Sequence, residues 1–337
     1  MREHSSGIGN WRRVSSGWGG GAGSSSGVLL AGLGVLSFSF SFPATDWALD
    51  GGRGLGPWTV TGLRGVLAGL LALGCLVGGR VPVPERRHWR GLAAVALGCV
   101  VGFPLLTTFA LQTAGSAHSA VVIGVLPLAT AVVSALRSRT RLSRSYWGAA
   151  VAGAVVVAAF TLLQNHGRPT GADLYLVAAL LVCAVGYAEG GRLARDLPGW
   201  QVIAWAVVAA LPLTAVTAAV APAVEPVGLT AHAVVGVGYL AAVSQFGGFV
   251  LWYRGMAAIG VPRASQLQLA QPLLTLLWSV LLLGERLPPA APAAAVLVLG
   301  CIAITQRVGA RRTAVTRPAA TTVLTGGPVV SNGGRPD

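Results

Sequence analysis

Residues 260–287 read GVPRASQLQLAQPLLTLLWSVLLLGERL, and residues 115–142, an offset of 145 earlier, read GSAHSAVVIGVLPLATAVVSALRSRTRL. Gly115 aligns with Gly260, Pro127 with Pro272, Ser134 with Ser279, and Thr140-Arg141-Leu142 with Glu285-Arg286-Leu287. Gly102 and Gly247 keep the same offset. A single match carries little weight in a chain rich in Ala, Gly and Leu; the shared offset makes these matches an internal duplication. Both stretches hold an apolar run interrupted by a proline, and about 20 mainly apolar residues are what a bilayer-spanning helix requires.

The rest of the chain has the same character. Of 337 residues, 54% are hydrophobic and 10% are Asp, Glu, Lys or Arg, whereas soluble domains carry roughly a quarter charged residues. So few charges cannot cover a water-facing surface, so the main solvent is the lipid bilayer. Apolar spans are expected near 27–45, 57–79, 91–112, 116–136, 147–164, 173–193, 200–221, 232–253, 264–284 and 288–306. This predicts an all-α membrane protein of about ten transmembrane helices. Each unit holds an odd number of spans, so the second unit enters the membrane from the opposite side. The expected organisation is two inverted five-helix repeats, 27–164 and 173–306. The Ser/Gly-rich segment 1–26 and the Pro/Gly/Thr-rich segment 307–337 read as disordered cytoplasmic tails.

Every Lys-or-Arg position is Arg; the chain has 24 arginines and no lysine. A P-loop needs its Lys at the phosphates, so a Walker-type ATPase within this chain is excluded, as is Schiff-base chemistry. With the N-terminus in the cytoplasm, the inside segments hold 20 arginines and the outside loops hold Arg53, Arg168 and Arg286. The positive-inside rule therefore puts both termini in the cytoplasm of a bacterial plasma membrane. The net charge of +14 lies in short loops between spans, not on a soluble face, so nucleic acid is not a partner. Cys75, Cys99, Cys183 and Cys301 lie far apart in apolar spans and read as packing residues, with no metal site. Gly23-Ser24-Ser25-Ser26-Gly27 fits G-x-S-x-G but lacks the preceding strand that a nucleophile elbow requires.

The second unit resembles a known family. Gly260-Val-Pro-Arg-Ala-Ser265, Gln271-Pro272-Leu273, Leu283-Gly284-Glu285-Arg286-Leu287 and Gly300 follow the order and spacing of the EamA-type members of the drug/metabolite transporter superfamily. The first unit is similar but degraded, with Arg139-Thr140-Arg141-Leu142 where Gly-Glu-Arg-Leu would stand. Arg64 matches a position often held by Arg. The resemblance runs over about 28–306 and implies ten helices, cytoplasmic termini, and export or exchange of metabolites, amino acids or drugs.

Candidate functional residues follow from polar groups inside spans. Pro272 frees the carbonyl of Gln268, which protein or water must satisfy. Gln268, Gln271, Thr275 and Ser279 share a face with that break and are expected to line a solute path or to hydrogen-bond between helices. Pro127 acts likewise on Ile123, with Ser119, Thr130 and Ser134 on its face. Gln112, Gln245, Trp252 and Tyr253 face the path or pack. Arg64 must snorkel to the outer headgroups or pair, because a charge at full depth costs at least about 2.5 kcal/mol; the alternative to snorkelling is a role in solute or gate contacts. Gly65 and Gly69 form a GxxxG pair, which predicts close packing on a neighbouring helix. Glu189 is the one acidic residue expected inside the membrane zone: a proton carrier, or the partner of Arg192 three residues on. Glu285 reads as structural, and His118 as interfacial.

Together these point to a secondary transporter working by alternating access on a small solute, not to an enzyme, with no cofactor. Its driving gradient is that of the solute, a proton or another ion. An intramembrane enzyme would need a convergent nucleophile and base or metal ligands; a non-transporting scaffold or sensor is the other alternative. Substrate, direction and a homodimeric state are left open by the sequence.

Overall fold

A computed structural model describes residues 22–138, 144–164, 168–259, 267–268 and 270–301. The stretches 1–21 and 302–337, which hold most of the two expected tails, lie outside these residues. So do Arg139–Leu142 and the Gly260–Ser265 motif.

Among the described residues, seven helices are long and apolar enough to cross a membrane: α1 (Ser25–Gly52), α2 (Pro57–Gly78), α3 (Arg86–Leu111), α4 (Ser116–Arg137), α6 (Gly171–Leu193), α7 (Gly199–Ala223) and α8 (Ala231–Gly255). Between and after them come α5 (Arg144–Gln164) and two shorter apolar helices, α9 (Ala270–Leu283) and α10 (Ala290–Cys301). Between 44 and 53% of each long helix's apolar window is buried, so about half of each faces outward. Leu70, Val77, Leu97, Leu181 and Leu213 stand exposed there, as hydrocarbon contact demands. The first helix is longer than the sequence pattern indicates. The helical run that contains this span begins at Ala22 and continues through Pro43, with a turn at Phe40, to Gly52.

The helix contacts are related by exchanging α1–α5 with α6–α10. The α1–α8 contact is matched by α6–α3, and α4–α6 by α9–α1; α2–α7 and α4–α9 map onto themselves. The backbone repeats as well. A π-helical segment interrupts α3 at Ala96–Gly102 and α8 at Leu240–Gly247, at the 145-residue offset that joins Gly102 to Gly247.

Close approach depends on glycine at a few contacts. Added Cβ atoms at Gly62, Gly65 and Gly69 would collide with Ala218, Thr214 and Leu211 of α7, so the GxxxG face of α2 packs as expected, with Gly62 one turn earlier extending it. A Cβ at Gly98 would lie 2.5 Å from the Val182 carbonyl and 3.1 Å from Gly186, which brings the π segment of α3 against α6.

Candidate functional site

A cavity of about 60 Å³ lies where α1, α2, α3, α4, α6, α8 and α9 converge. Both π segments deliver residues to it. Cys99 and Ser244, one offset apart, stand there at repeat-related positions. Ser244 Oγ hydrogen-bonds to Ser41 Oγ at 2.7 Å, and Cys99 Sγ approaches the Cys183 carbonyl at 3.9 Å. Cys99 and Cys183, distant in sequence, are therefore neighbours across α3 and α6 and line this cavity. A π segment widens the helix by one residue per turn, and such segments recur at functional sites.

The cavity wall combines Phe38, Phe42, Phe103 and Phe249 with Arg64, Gln245 and Gln271. Arg64 does not snorkel to a headgroup region: it is 6% exposed and points into this cavity. Gln271 lines both this cavity and a smaller one of about 30 Å³, where Gln268, Pro272 and Thr275 meet Pro127. The repeat-related prolines thus share one space between α4 and α9. The α4 break expected at Pro127 is present, with a turn at Gly124–Val125 between Ser116–Ile123 and Leu126–Ser138.

Other candidates fall elsewhere. Thr130, Ser134, Glu189 and Tyr253 line a recess of about 1140 Å³ at the Arg-rich end, with Arg87, Arg90, Arg137, Arg192 and Arg195. Gln112 lines a recess of about 300 Å³ at the opposite end, beside Asp46 and Glu225. Trp252 is buried with Ala31, Val35, Phe38 and Ile259, its backbone 3.0 Å from where a Cβ on Gly34 would stand. Ser279 is fully buried, and its hydroxyl donates to the Thr275 carbonyl.

Glu189 pairs with Arg192 at 3.0 Å, as its spacing predicts, and also with Arg137 of α4 at 2.6 Å. It is not alone as a buried acid. Asp173 is 4% exposed, bonded to His118 Nε2 at 2.7 Å and to the Thr170 backbone N–H in a capping box. Asp46 lies half-buried within α1, which the shorter expected span excluded. At the arginine-poor end, Glu285 accepts from Ser116 N and Ala117 N and caps α4. Glu225 accepts from Trp58 N, Thr59 N and Thr59 Oγ1 and caps α2. A carboxylate there satisfies orphan N–H groups and meets the positive end of the helix dipole.

Sequence reasoning overlooked Tyr187, which lines both the central cavity and the Arg-rich recess. It meets Phe249 edge-on at 6.3 Å, and Phe249 stacks on Tyr253 at 6.1 Å. These rings stand between the two spaces. Cys99 and Ser244 were within reach of the 145-residue offset; Tyr187 had no such signal, because aromatic residues in spans pack as often as they gate.

The EamA-like transporter family matches residues 25–163 and 170–306. An uncharacterized transporter of Bacillus subtilis (strain 168), YdeK, is 41% identical over 275 residues, covering 82% of this chain and 95% of that protein. A protein solved by crystallography has the same fold, with a TM-score of 0.60 at 21% identity, covering 86% of this chain and 99% of that one. With the family matched twice, over most of the chain, and a relative this similar along most of its length, the chain is an integral membrane protein that belongs to the EamA-like transporter family.

Proposed function

We propose that the protein is a secondary transporter that moves a small solute through the central cavity by alternating access. The observation that carries this reading is the small cavity at the meeting of the two repeats, with a large recess beyond Tyr187 and Phe249. Inverted repeats in transporters hold their solute near the midplane at the repeat interface. The count of 20 arginines against 3 supports a bacterial plasma-membrane protein with the large recess on the cytoplasmic side. In that orientation the aromatic rings separate the cavity from the cytoplasm, and Glu225 and Glu285 pin the outer ends of α2 and α4. The chain has no Lys with which to build a P-loop, so a solute or ion gradient is the energy source.

Proteoliposomes loaded with a broad metabolite panel test this. Counterflow or efflux of at least one solute, absent from protein-free vesicles, is the expected result. No flux of any solute, together with a measurable hydrolase activity, overturns it.

A further inference from the structure

Arg64 of α2 and Gln245 of α8 reach the central cavity from opposite repeats. Arg64 is 6% exposed and Gln245 1%. Arg64 Nε and Gln245 Nε2 bond to no partner among the described residues. The ion pairs of the described residues do not include Arg64. The hydroxyls around them bond elsewhere, Ser41 with Ser244, Thr45 to the Ser41 carbonyl and Thr107 to the Phe103 carbonyl, and none of these bonds is to Arg64 or Gln245. A buried charge without a counter-charge is costly, and two buried donors that face one space and bond to no acceptor among the described residues call for one.

The geometry points to a binding site for the carboxylate of a small organic monoanion, with Arg64 as counter-ion and Gln245 as second donor. This rests on the transport reading and names the solute class for the same cavity. One guanidinium balances one negative charge, and Phe38, Phe42, Phe103 and Phe249 suit an apolar body better than a hydrated inorganic anion. Among the described residues no Asp or Glu lines the cavity, so the ammonium of a zwitterionic amino acid would find no counter-charge there. The recess leading to it fits an anion as well. Five arginines and a single acid, Glu189, line it, a field that concentrates anions at its mouth.

The test is equilibrium binding to purified protein in neutral-lipid nanodiscs, measured by titration calorimetry and independent of flux. The probes are acetate against acetamide, and propionate against alanine, small enough for a cavity of about 60 Å³. Each carboxylate is expected to bind at least about tenfold tighter than its comparison, the scale of a hydrogen-bonded charge. Arg64→Gln should abolish that preference, Arg64→Lys should retain part of it, and Gln245→Leu should weaken carboxylate binding several-fold. Should Arg64→Gln fail to yield folded protein, the Gln245→Leu comparison decides. Equal affinity for anion and neutral comparison, absence of carboxylate binding, or a preference untouched by these substitutions overturns the proposal. Carboxylate binding that depends on Arg64 in a protein that moves no solute supports the site and overturns the transport reading. Flux of a neutral or cationic solute without anion binding does the reverse.

Discussion

Thr275 Oγ1 donates to the Ser39 carbonyl at 2.7 Å across α9 and α1. Ser39 lies four residues before Pro43, so this is the carbonyl that the proline leaves without its helical N–H. The Ser37 carbonyl at the same break accepts from Tyr239 of α8 at 2.9 Å. The bend in α1 is therefore closed by two helices of the other repeat. Thr275→Val removes the buried donor and should destabilise the protein by about 1–3 kcal/mol. In a Pro43→Ala background the restored N–H should take up Ser39, and the loss should shrink. Unfolding of the four proteins in detergent measures this cycle; equal losses in both backgrounds would contradict the pairing.

The α2–α7 contact gives a steric prediction. Gly62→Ala places a methyl group against the backbone of Ala218, while nothing lies within 4 Å of a Cβ at Gly74 on the same helix. Gly62→Ala should cost about 1–3 kcal/mol, as overpacking does, and Gly74→Ala should be neutral or slightly stabilising. Thermal unfolding of the two variants checks the difference.

Glu189 is buried between two half-exposed guanidinium groups, Arg137 of α4 and Arg192 of its own helix. Such an arrangement fits a clasp between α4 and α6 rather than a proton carrier. Removing Glu189 or Arg137 singly should destabilise, and the double variant should lose less than the sum, with a coupling of about 1 kcal/mol. Glu189→Gln should leave the pH dependence of flux unchanged. A flux that no longer responds to a pH gradient in that variant would assign the proton to Glu189.

Orientation is open to a labelling test. In a cysteine-free background, Gln112→Cys should react with a membrane-impermeant maleimide in intact cells. Ser134→Cys, in the Arg-rich recess, should react only after permeabilisation. The opposite pattern would invert the topology.

Much of the fold was legible because membrane helices announce themselves by length and apolarity. Pro127 marked a real break, and Gly65 and Gly69 a real close contact. Their partners were not legible. Which helix receives a glycine face, or which hydroxyl satisfies a freed carbonyl 236 residues away, depends on how the two repeats dock, and local pattern does not encode that. The same limit applies to the site. The polar residues around Pro272 divide between a cavity, at Gln268 and Gln271, and buried hydrogen bonding, at Ser279; Thr275 takes part in both. Arg64 drew attention as a charge in a span, but only the fold puts Gln245 on the same cavity.

The central claim is that solute crosses through the cavity between the repeats. Gln271 lines both that cavity and the smaller space beside the paired prolines. The most direct measurement is flux of a transported solute in proteoliposomes carrying Gln271→Ala, at matched insertion and thermal stability. The structure leads us to expect a loss of about tenfold or more, the scale of a lost polar contact to solute. Unchanged flux would contradict a route through this cavity.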